Sequence, residues 1–293
     1  MTHPPDGGVP PGGYLPFKPQ VSTPRARLPQ GSCDCHFHVF EDGYPFGEPR
    51  SYTPTPAPLR AYRDMARAVG LDRAVLVHPS VYGRDHRSFE DTLAANRDWM
   101  RGVAVAHPDT PEADLARWHE LGARGTRCNA LFAGGTRIED MAAVAERVRP
   151  YGWHLQLLVD VHAQPEVVSR VVALGLPVVV DHFGHLPAAA GIADPGFARL
   201  LEHVRQGSAW VKLSGAYRLA DARRGFAQVR PLVDALLQAN PDRLVWGSDW
   251  PHPAMAAPMV DDGDLADALF DWLDEAGRRK VLVENPSRLY WDD

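Results

Sequence analysis

The sequence predicts an α/β protein with a (β/α)8 barrel, a TIM barrel, and three observations support this prediction. Short β-rich segments alternate eight times with amphipathic helical segments, which is the element order of such a barrel. No glycine-rich phosphate-binding fingerprint follows the first strand, so an open doubly wound sheet is the weaker alternative. Polar side chains follow the strands at their C-terminal ends, where barrel enzymes carry their active sites.

The predicted strands are short runs rich in Val, Leu and other apolar residues. In chain order they cover residues 33–40, 74–79, 102–107, 125–129, 154–160, 177–182, 209–214 and 243–248. We assign residues 32–293 to one domain, because a single α/β barrel commonly has about 250 residues.

The predicted helices lie between these strands and show amphipathic spacing. They cover residues 59–69, 89–97, 113–121, 138–149, 165–174, 197–204, 228–238 and 265–276. Five glycines follow helical runs, as glycines at helix C-termini do: Gly70, Gly122, Gly152, Gly175 and Gly277.

Composition limits the functional classes. The 293 residues include 31 Lys and Arg against 37 Asp and Glu, so the net charge is -6, which argues against general nucleic-acid binding. A mean hydropathy of -0.28, with no apolar run near the ~20 residues of a membrane span, predicts a protein without membrane segments. Three cysteines suit a reducing compartment, and we expect a cytoplasmic protein.

Residues 1–31 form a Pro- and Gly-rich arm without helical or strand periodicity. We expect its first dozen residues to be extended or disordered. The segment 14–19 carries apolar side chains that suit packing on the barrel or on a neighbouring subunit. The sequence leaves both alternatives open, together with a monomeric or homo-oligomeric state.

The first predicted strand contains two histidines in the segment CDCHFHVF, residues 33–40. Because strand side chains alternate between faces, His36 and His38 share one face, and Cys33, Cys35 and Phe37 share the other. With the histidines facing the barrel interior, the cysteines are expected to face the helical layer. This parity argues against a Cys/His zinc site and leaves two imidazoles that can bind a metal or polarise a carbonyl.

Asp249 lies at the end of the last predicted strand, where Pro251 directs the chain out of the sheet. A carboxylate there can be a metal ligand, a general base or a helix N-cap, and the nearby prolines weaken the N-cap alternative. Facing two histidines across a barrel, it can hold and deprotonate a water molecule. For His252, substrate contact and a structural role in the loop are equally open.

Three motifs together resemble the amidohydrolase superfamily: CDCHFHVF (33–40), VDHFG (180–184) and WGSDWPH (246–252). Within it, the amidohydrolase-2 group of lactonases, which act on pyrone dicarboxylates, muconolactones and sugar lactones, is the most similar in motif order and spacing. The resemblance extends over most of residues 32–293. It implies a (β/α)8 hydrolase of the amidohydrolase type that acts on cyclic esters.

The resemblance also implies roles for individual residues. His36, His38 and His182 would polarise the lactone carbonyl, directly or through a metal, and Asp249 would activate the hydrolytic water. The substrate-contact positions of the group correspond to Tyr52, Ser80, Arg127, Arg218 and His252. The chain departs from the pattern of the pyrone-dicarboxylate enzymes in two places. It lacks a second arginine shortly after Arg127, and it has Leu158 near the position of a tyrosine. A muconolactone or sulfomuconolactone therefore fits better.

A metal centre is one of two alternatives for this site. His36, His38, His182 and Asp249 can form a single mononuclear site for Zn²⁺ or Mn²⁺, and catalysis without a metal is the other reading. The absence of lysine between Lys18 and Lys212 argues against a carboxylated-lysine bridge between two metals.

Two arginines at strand ends, Arg127 and Arg218, indicate an anionic substrate, because a guanidinium binds carboxylate or sulfonate in bidentate fashion. The prediction is therefore a hydrolase that opens an anionic lactone ring. A metal-dependent decarboxylase is the rival enzyme class, since such lyases carry the same histidines and final aspartate. A noncatalytic binding protein is the third alternative.

Overall fold

The computed structural model describes residues 13–220, 226–255 and 258–292. Eight parallel strands follow one another in sequence order in a single sheet. A parallel bridge between Phe37 and Trp250 joins the first strand to the segment after the last one. This arrangement confirms the predicted (β/α)8 barrel.

The strands are buried along almost their whole length. They are β1 (Cys33–Phe37), β2 (Arg73–Val77), β3 (Met100–Ala104), β4 (Ala123–Asn129), β5 (His154–Leu158), β6 (Val178–Val180), β7 (Ala209–Leu213) and β8 (Leu244–Trp246). Most end before the predicted boundary. His38, His182 and Asp249 therefore lie just beyond the strands. Backbone hydrogen bonds from His38 to Trp250 and from Asp249 to His36, each 2.8 Å, still join the two segments.

The described residues include ten α-helices. They are α1 (Leu59–Val69), α2 (Arg87–Ala94), α3 (Glu112–Glu120), α4 (Met141–Val148), α5 (Val167–Val172), α6 (Pro195–Arg205), α7 (Ala216–Leu219), α8 (Arg230–Ala239), α9 (Asp262–Trp272) and α10 (Glu275–Arg279). The short α7 was not expected from the sequence, and it carries Tyr217 and Arg218 into the site. No helix in the described part of the chain is long and apolar enough to cross a membrane.

The orientation predicted for the cysteines is wrong because β1 contains a bulge. Asp34 pairs with Ala74 and Phe37 with Leu76, so three steps along β1 match two along β2, and the alternation of faces shifts. Cys33 and Cys35 consequently pack with valines of β2, β3, β6 and β8, strands that meet only inside the barrel. Phe37 points outward and stacks on Tyr62 of α1, with ring centroids 3.7 Å apart.

The described part of the N-terminal segment packs on the barrel of its own chain. The Phe17 ring lies 4.9 Å from that of Trp250, and the Tyr14 ring lies 6.2 Å from that of Tyr52. The backbone amide of Leu15 donates to the carbonyl of Met255 at 2.8 Å. Residues 1–12, for which an extended arm was expected, lie outside the described residues.

A buried histidine outside the barrel mouth leads to a prediction on stability. His86 is stacked between His78 and Trp118, with centroid separations of 3.9 and 4.0 Å, and its Nε2 accepts from the Val105 amide at 3.2 Å. Burial lowers the pKa of His86 to about 4. The folded state therefore favours the neutral ring, and the resulting stability is present above the ordinary pKa of about 6.5.

We expect this contribution, about 3 kcal/mol, to be lost as the pH falls from 6.5 to 4. Urea unfolding at several pH values measures the free energy of unfolding in the wild type and in His86→Gln, which keeps an acceptor for the Val105 amide. The variant should be less stable at pH 7 and lose less stability on acidification. Parallel pH profiles for the two proteins would contradict the assignment.

Candidate active site

Four side chains that the sequence places at strand ends meet at one end of the barrel. The Nε2 atoms of His36 and His38 lie 3.3 Å apart. Asp249 Oδ1 lies 3.7 Å from Nε2 of His36 and 3.8 Å from Nε2 of both His38 and His182. All four side chains are buried, so the cluster is shielded from bulk water and its electrostatic interactions are strong.

Local backbone geometry brings these groups together. His182 and Asp249 adopt left-handed conformations, with φ of 50° and 64°, which are costly for residues other than glycine and occur often at functional sites. Gly247 packs against β1, and a Cβ there would come within 2.5 Å of His36 Cβ. A glycine is therefore required for β8 to approach the histidine pair.

The donor set fits a single divalent metal. His36, His182 and Asp249 each offer one ligand atom, and these atoms lie within 4.8 Å of one another, while His38 adds a nitrogen 3.3 Å from that of His36. Tetrahedral zinc with nitrogen ligands at ~2.05 Å separates its ligand atoms by about 3.4 Å. His36, His182 and Asp249 therefore have the donor chemistry and the proximity of a candidate mononuclear site, and His38 lies next to His36.

Asp249 has one oxygen held by the protein and one facing the histidines. Its Oδ2 accepts from Tyr217 Oη at 2.6 Å and from Arg218 Nε at 2.8 Å. Burial raises the pKa of Asp249, but the Arg218 guanidinium and the neighbouring histidines outweigh burial and hold this pKa well below its usual range. The carboxylate is thus ionised at neutral pH, with Oδ1 turned towards the imidazoles.

Each histidine is anchored through its other ring nitrogen. His38 Nδ1 lies 2.7 Å from the Val77 carbonyl oxygen, and His182 Nδ1 lies 2.8 Å from Ser214 Oγ. Burial lowers the pKa of all three rings, that of His36 to about 4. Neutral, oriented imidazoles can ligate a metal or donate hydrogen bonds to an oxyanion.

Beneath the histidines lies a buried polar layer that the sequence did not reveal. Asp181 Oδ2 accepts from Arg127 Nε at 2.9 Å and from Gln156 Nε2 at 3.1 Å. Lys212 Nζ donates to Gln156 Oε1 at 2.7 Å and lies 3.4 Å from Asp181 Oδ1. Burial raises the pKa of Asp181, but Lys212, His36 and Arg127 hold it well below its ordinary value.

Weak sequence signals for this layer exist. Asp181 directly precedes His182 in the VDHFG motif, and Lys212 is a rare lysine within a predicted apolar strand. Neither signal indicates which groups meet across the barrel.

A cavity above the cluster contains most of the predicted substrate-contact residues. Four of these residues line the cavity: Tyr52, Ser80, Arg127 and Arg218. Asn129 and His185 also line it, and the sequence analysis did not predict either of them as a substrate contact. Leu158 also lines the cavity, at the position where the sequence suggested a replaced tyrosine.

His252 is not among the described residues that line this cavity. Its ring is fully buried, with Nδ1 3.1 Å from Tyr217 Oη and Nε2 3.2 Å from Asp262 Oδ1. It thus lies behind Tyr217, which itself contacts Asp249. Direct substrate contact by His252 stays a prediction. In the structure its ring contacts Tyr217, which in turn contacts Asp249.

Comparisons with known proteins match almost the whole chain. A family model described as amidohydrolase covers residues 33–291. The 4-sulfomuconolactone hydrolase of Hydrogenophaga intermedia is 34% identical, over 92% of this chain and 92% of that protein. The 2-pyrone-4,6-dicarboxylate hydrolase of Comamonas testosteroni is 33% identical, over 96% of this chain and 97% of that protein.

Solved structures show the same fold. A putative 2-pyrone-4,6-dicarboxylic acid hydrolase from Pseudomonas putida superposes with a TM-score of 0.80 at 34% identity, over 90% of this chain and 98% of that one. An amidohydrolase from Burkholderia multivorans with bound zinc superposes with a TM-score of 0.65 at 26% identity, over 88% of this chain and 98% of that one.

Proposed function

This chain belongs to the amidohydrolase family, and we propose that it hydrolyses an anionic lactone by attack of water on the ring carbonyl. The observation that carries the proposal is the position of Asp249 Oδ1, an ionised carboxylate oxygen within 3.8 Å of three imidazole nitrogens. Two guanidinium groups line the adjoining cavity. The relatives named as sulfomuconolactone and pyrone-dicarboxylate hydrolases support this class of substrate.

In the proposed reaction Asp249 is the general base. Its Oδ1 accepts a proton from water while the water oxygen bonds to the carbonyl carbon. The imidazoles of His36 and His182 can donate hydrogen bonds to the carbonyl oxygen on which the charge develops. The neutral His38 ring donates from Nδ1 to the Val77 carbonyl and offers a lone pair at Nε2. When the ring C–O bond breaks, the Asp249 carboxyl returns the proton to the leaving oxygen, and the product is a hydroxy acid or its keto form.

We propose His36, His38, His182 and Asp249 as the residues that would hold one Zn²⁺ or Mn²⁺. A metal there would polarise the carbonyl and lower the pKa of a water molecule. The zinc in the Burkholderia multivorans structure and the convergent donor set support this assignment.

The two arginines indicate the substrate's charge pattern. Arg127 donates from Nε to Asp181. Among the described residues no hydrogen-bond partner is found for its Nη groups, which can therefore bind a ligand. Arg218 bonds Asp249 through Nε and the Pro253 carbonyl through Nη2. We therefore propose a lactone that carries at least one carboxylate or sulfonate group, such as a muconolactone or sulfomuconolactone.

The proposal is tested by a pH-indicator screen of anionic and neutral lactones alongside metal analysis of the purified protein. We expect acid release from anionic lactones, dependent on Asp249, and little from neutral lactones of similar ring size. Release of carbon dioxide from an unsaturated carboxylic acid, without net addition of water, would instead identify a decarboxylase. Inactivity towards the whole panel, with metals supplied, would contradict both.

A further inference from the structure

We propose that Asn129 is a positioning residue that makes the Ser80 hydroxyl a hydrogen-bond donor to the anionic group of the substrate. Both side chains line the cavity above the cluster, and Asn129 has no part in the proposed reaction. The inference deepens the proposed function and rests on it only for the identity of that substrate as a lactone.

The backbone that follows Asn129 determines the orientation of its side-chain amide. The backbone amides of Leu131 and Phe132 donate to Asn129 Oδ1 at 3.1 and 2.9 Å, which is the hydrogen bonding of an Asx turn. A flipped side chain would place its NH2 group against these two N–H groups, and none of the three can accept. Oδ1 therefore faces the backbone, and Nδ2 is the atom that faces Ser80.

This orientation fixes the role of the Ser80 hydroxyl. Asn129 Nδ2 lies 3.3 Å from Ser80 Oγ, and an NH2 group can only donate. Ser80 Oγ therefore accepts this bond and keeps its own O–H for another partner. Within residues 13–220, 226–255 and 258–292 no acceptor for that O–H is found. Because Ser80 is buried and lines the cavity, the O–H is available to a group that enters the cavity.

Two glycines allow the loop after β4 to pack closely on both side chains. Gly134 has a φ of 95°, and a Cβ there would come within 2.3 Å of the Ser80 carbonyl oxygen. A Cβ on Gly135 would come within 2.9 Å of Asn129 Cβ. A larger residue at either position would displace the loop, so the two glycines help to keep Asn129 within reach of Ser80.

The neighbouring charge indicates which substrate group meets the Ser80 O–H. Arg127 and Asn129 are two residues apart on β4, so their side chains lie on one face of the strand, and both line the cavity. A carboxylate or sulfonate only accepts hydrogen bonds, and it can accept from Ser80 and from the Arg127 guanidinium together. With the opposite orientation, Ser80 would turn a lone pair towards this anion and repel it.

The first experiment measures the direction of the Asn129–Ser80 bond and needs no ligand. Neutron diffraction from deuterium-exchanged crystals of the wild type locates the hydrogens that X-ray maps at ordinary resolution do not show. We expect deuterium on Asn129 Nδ2 towards Ser80 Oγ, and the Ser80 O–D turned into the cavity. A Ser80 O–D that points at Asn129 would overturn the proposal, whatever the protein hydrolyses.

The second experiment measures whether the contribution of Ser80 to anion binding depends on Asn129. Asn129→Asp keeps an acceptor for the two backbone amides, but its second oxygen accepts the Ser80 O–H and reverses the bond. Benzoate and benzenesulfonate are titrated calorimetrically into wild type, Ser80→Ala, Asn129→Asp and the double variant. Ser80→Ala should weaken binding about tenfold in the wild type, the effect of one hydrogen bond to a charged group, and less than twofold in Asn129→Asp.

Asn240→Asp is the matched control. Asn240 Oδ1 accepts from the Asp242 backbone amide at 3.0 Å in the turn before β8, and Ser80→Ala should still weaken binding about tenfold in this background. The charge added by Asn129→Asp is present with and without the Ser80 hydroxyl, so it cancels in the comparison. An equal loss from Ser80→Ala in wild type and Asn129→Asp, or no loss in wild type, would overturn the proposal. If Asn129→Asp does not fold, the neutron result decides.

Turnover separates this inference from the proposed function. With a responsive anionic lactone, Asn129→Asp should raise KM about tenfold or more at nearly constant kcat, because Ser80 binds the anionic group and not the reacting carbonyl. Ser80→Ala should add less than twofold to that KM. If no lactone is hydrolysed, the proposed function fails, while the neutron and anion-binding results still decide the role of Asn129.

Discussion

Replacement of Asp249 by Asn is expected to lower kcat/KM for the responsive lactone by about 1,000-fold, the order of magnitude of general base catalysis. The amide keeps the shape of the carboxyl and can still accept from Tyr217 and Arg218, which now bond Oδ2. It cannot take a proton from water. The measurement is steady-state turnover at pH 7, with circular dichroism and thermal melting to verify the fold.

The matched control for this experiment is Asp64→Asn. Asp64 is exposed on α1 and pairs with Arg67, so the change should leave kcat/KM within twofold of wild type. Turnover by Asp249→Asn within tenfold of wild type would show that the base is another group. The dependence of kcat/KM on pH is a further check. Because the pKa of Asp249 is held low, the carboxylate should stay ionised, and able to act as a base, well below pH 6.

Replacement of Arg127 by Met is expected to lower kcat/KM for anionic lactones by about 100-fold, mainly through KM. A hydrogen bond to a charged group contributes about 1.5–3 kcal/mol, which corresponds to roughly 10- to 200-fold in binding. Asp181 keeps Gln156 and Lys212 as partners, so the buried carboxylate is not left unpaired. Neutral lactones of the same ring size should be affected far less.

Two further variants make this result specific. Arg127→Lys keeps the charge but loses the bidentate geometry, and its KM should lie between those of wild type and Arg127→Met. Arg137→Met removes an exposed arginine that pairs with Asp140 and should leave KM unchanged. An equal loss for anionic and neutral lactones in Arg127→Met would argue that Arg127 supports the fold of the site and does not bind the anion.

The parts of this protein that sequence predicts best depend on local periodicity. The periodic spacing of apolar residues within each segment predicts whether it is a strand or a helix. Eight alternating strands and helices then predict the barrel. The clustering of His36, His38, His182 and Asp249 is also predictable, since the C-terminal ends of parallel strands meet at one rim.

The less accurate predictions concern faces and contacts. The two-residue period of a strand predicted that Cys33 and Cys35 face the helices. A single bulge between Asp34 and Phe37 shifts the alternation, and the two side chains face the barrel interior. No residue in the β1 segment indicates a bulge from the sequence alone. It arises where β1 pairs with β2 and β8 approaches through Gly247.

The sequence by itself determined the fold class, the rim that carries the chemistry and the family resemblance, because these depend on residue type and spacing along the chain. Only the tertiary structure decided that Lys212 and Asp181 lie against His36 and that His252 lies behind Tyr217. The physical reason is closure of the barrel. Contacts across its interior depend on the combined register of eight strands, and no local segment of the chain encodes that register.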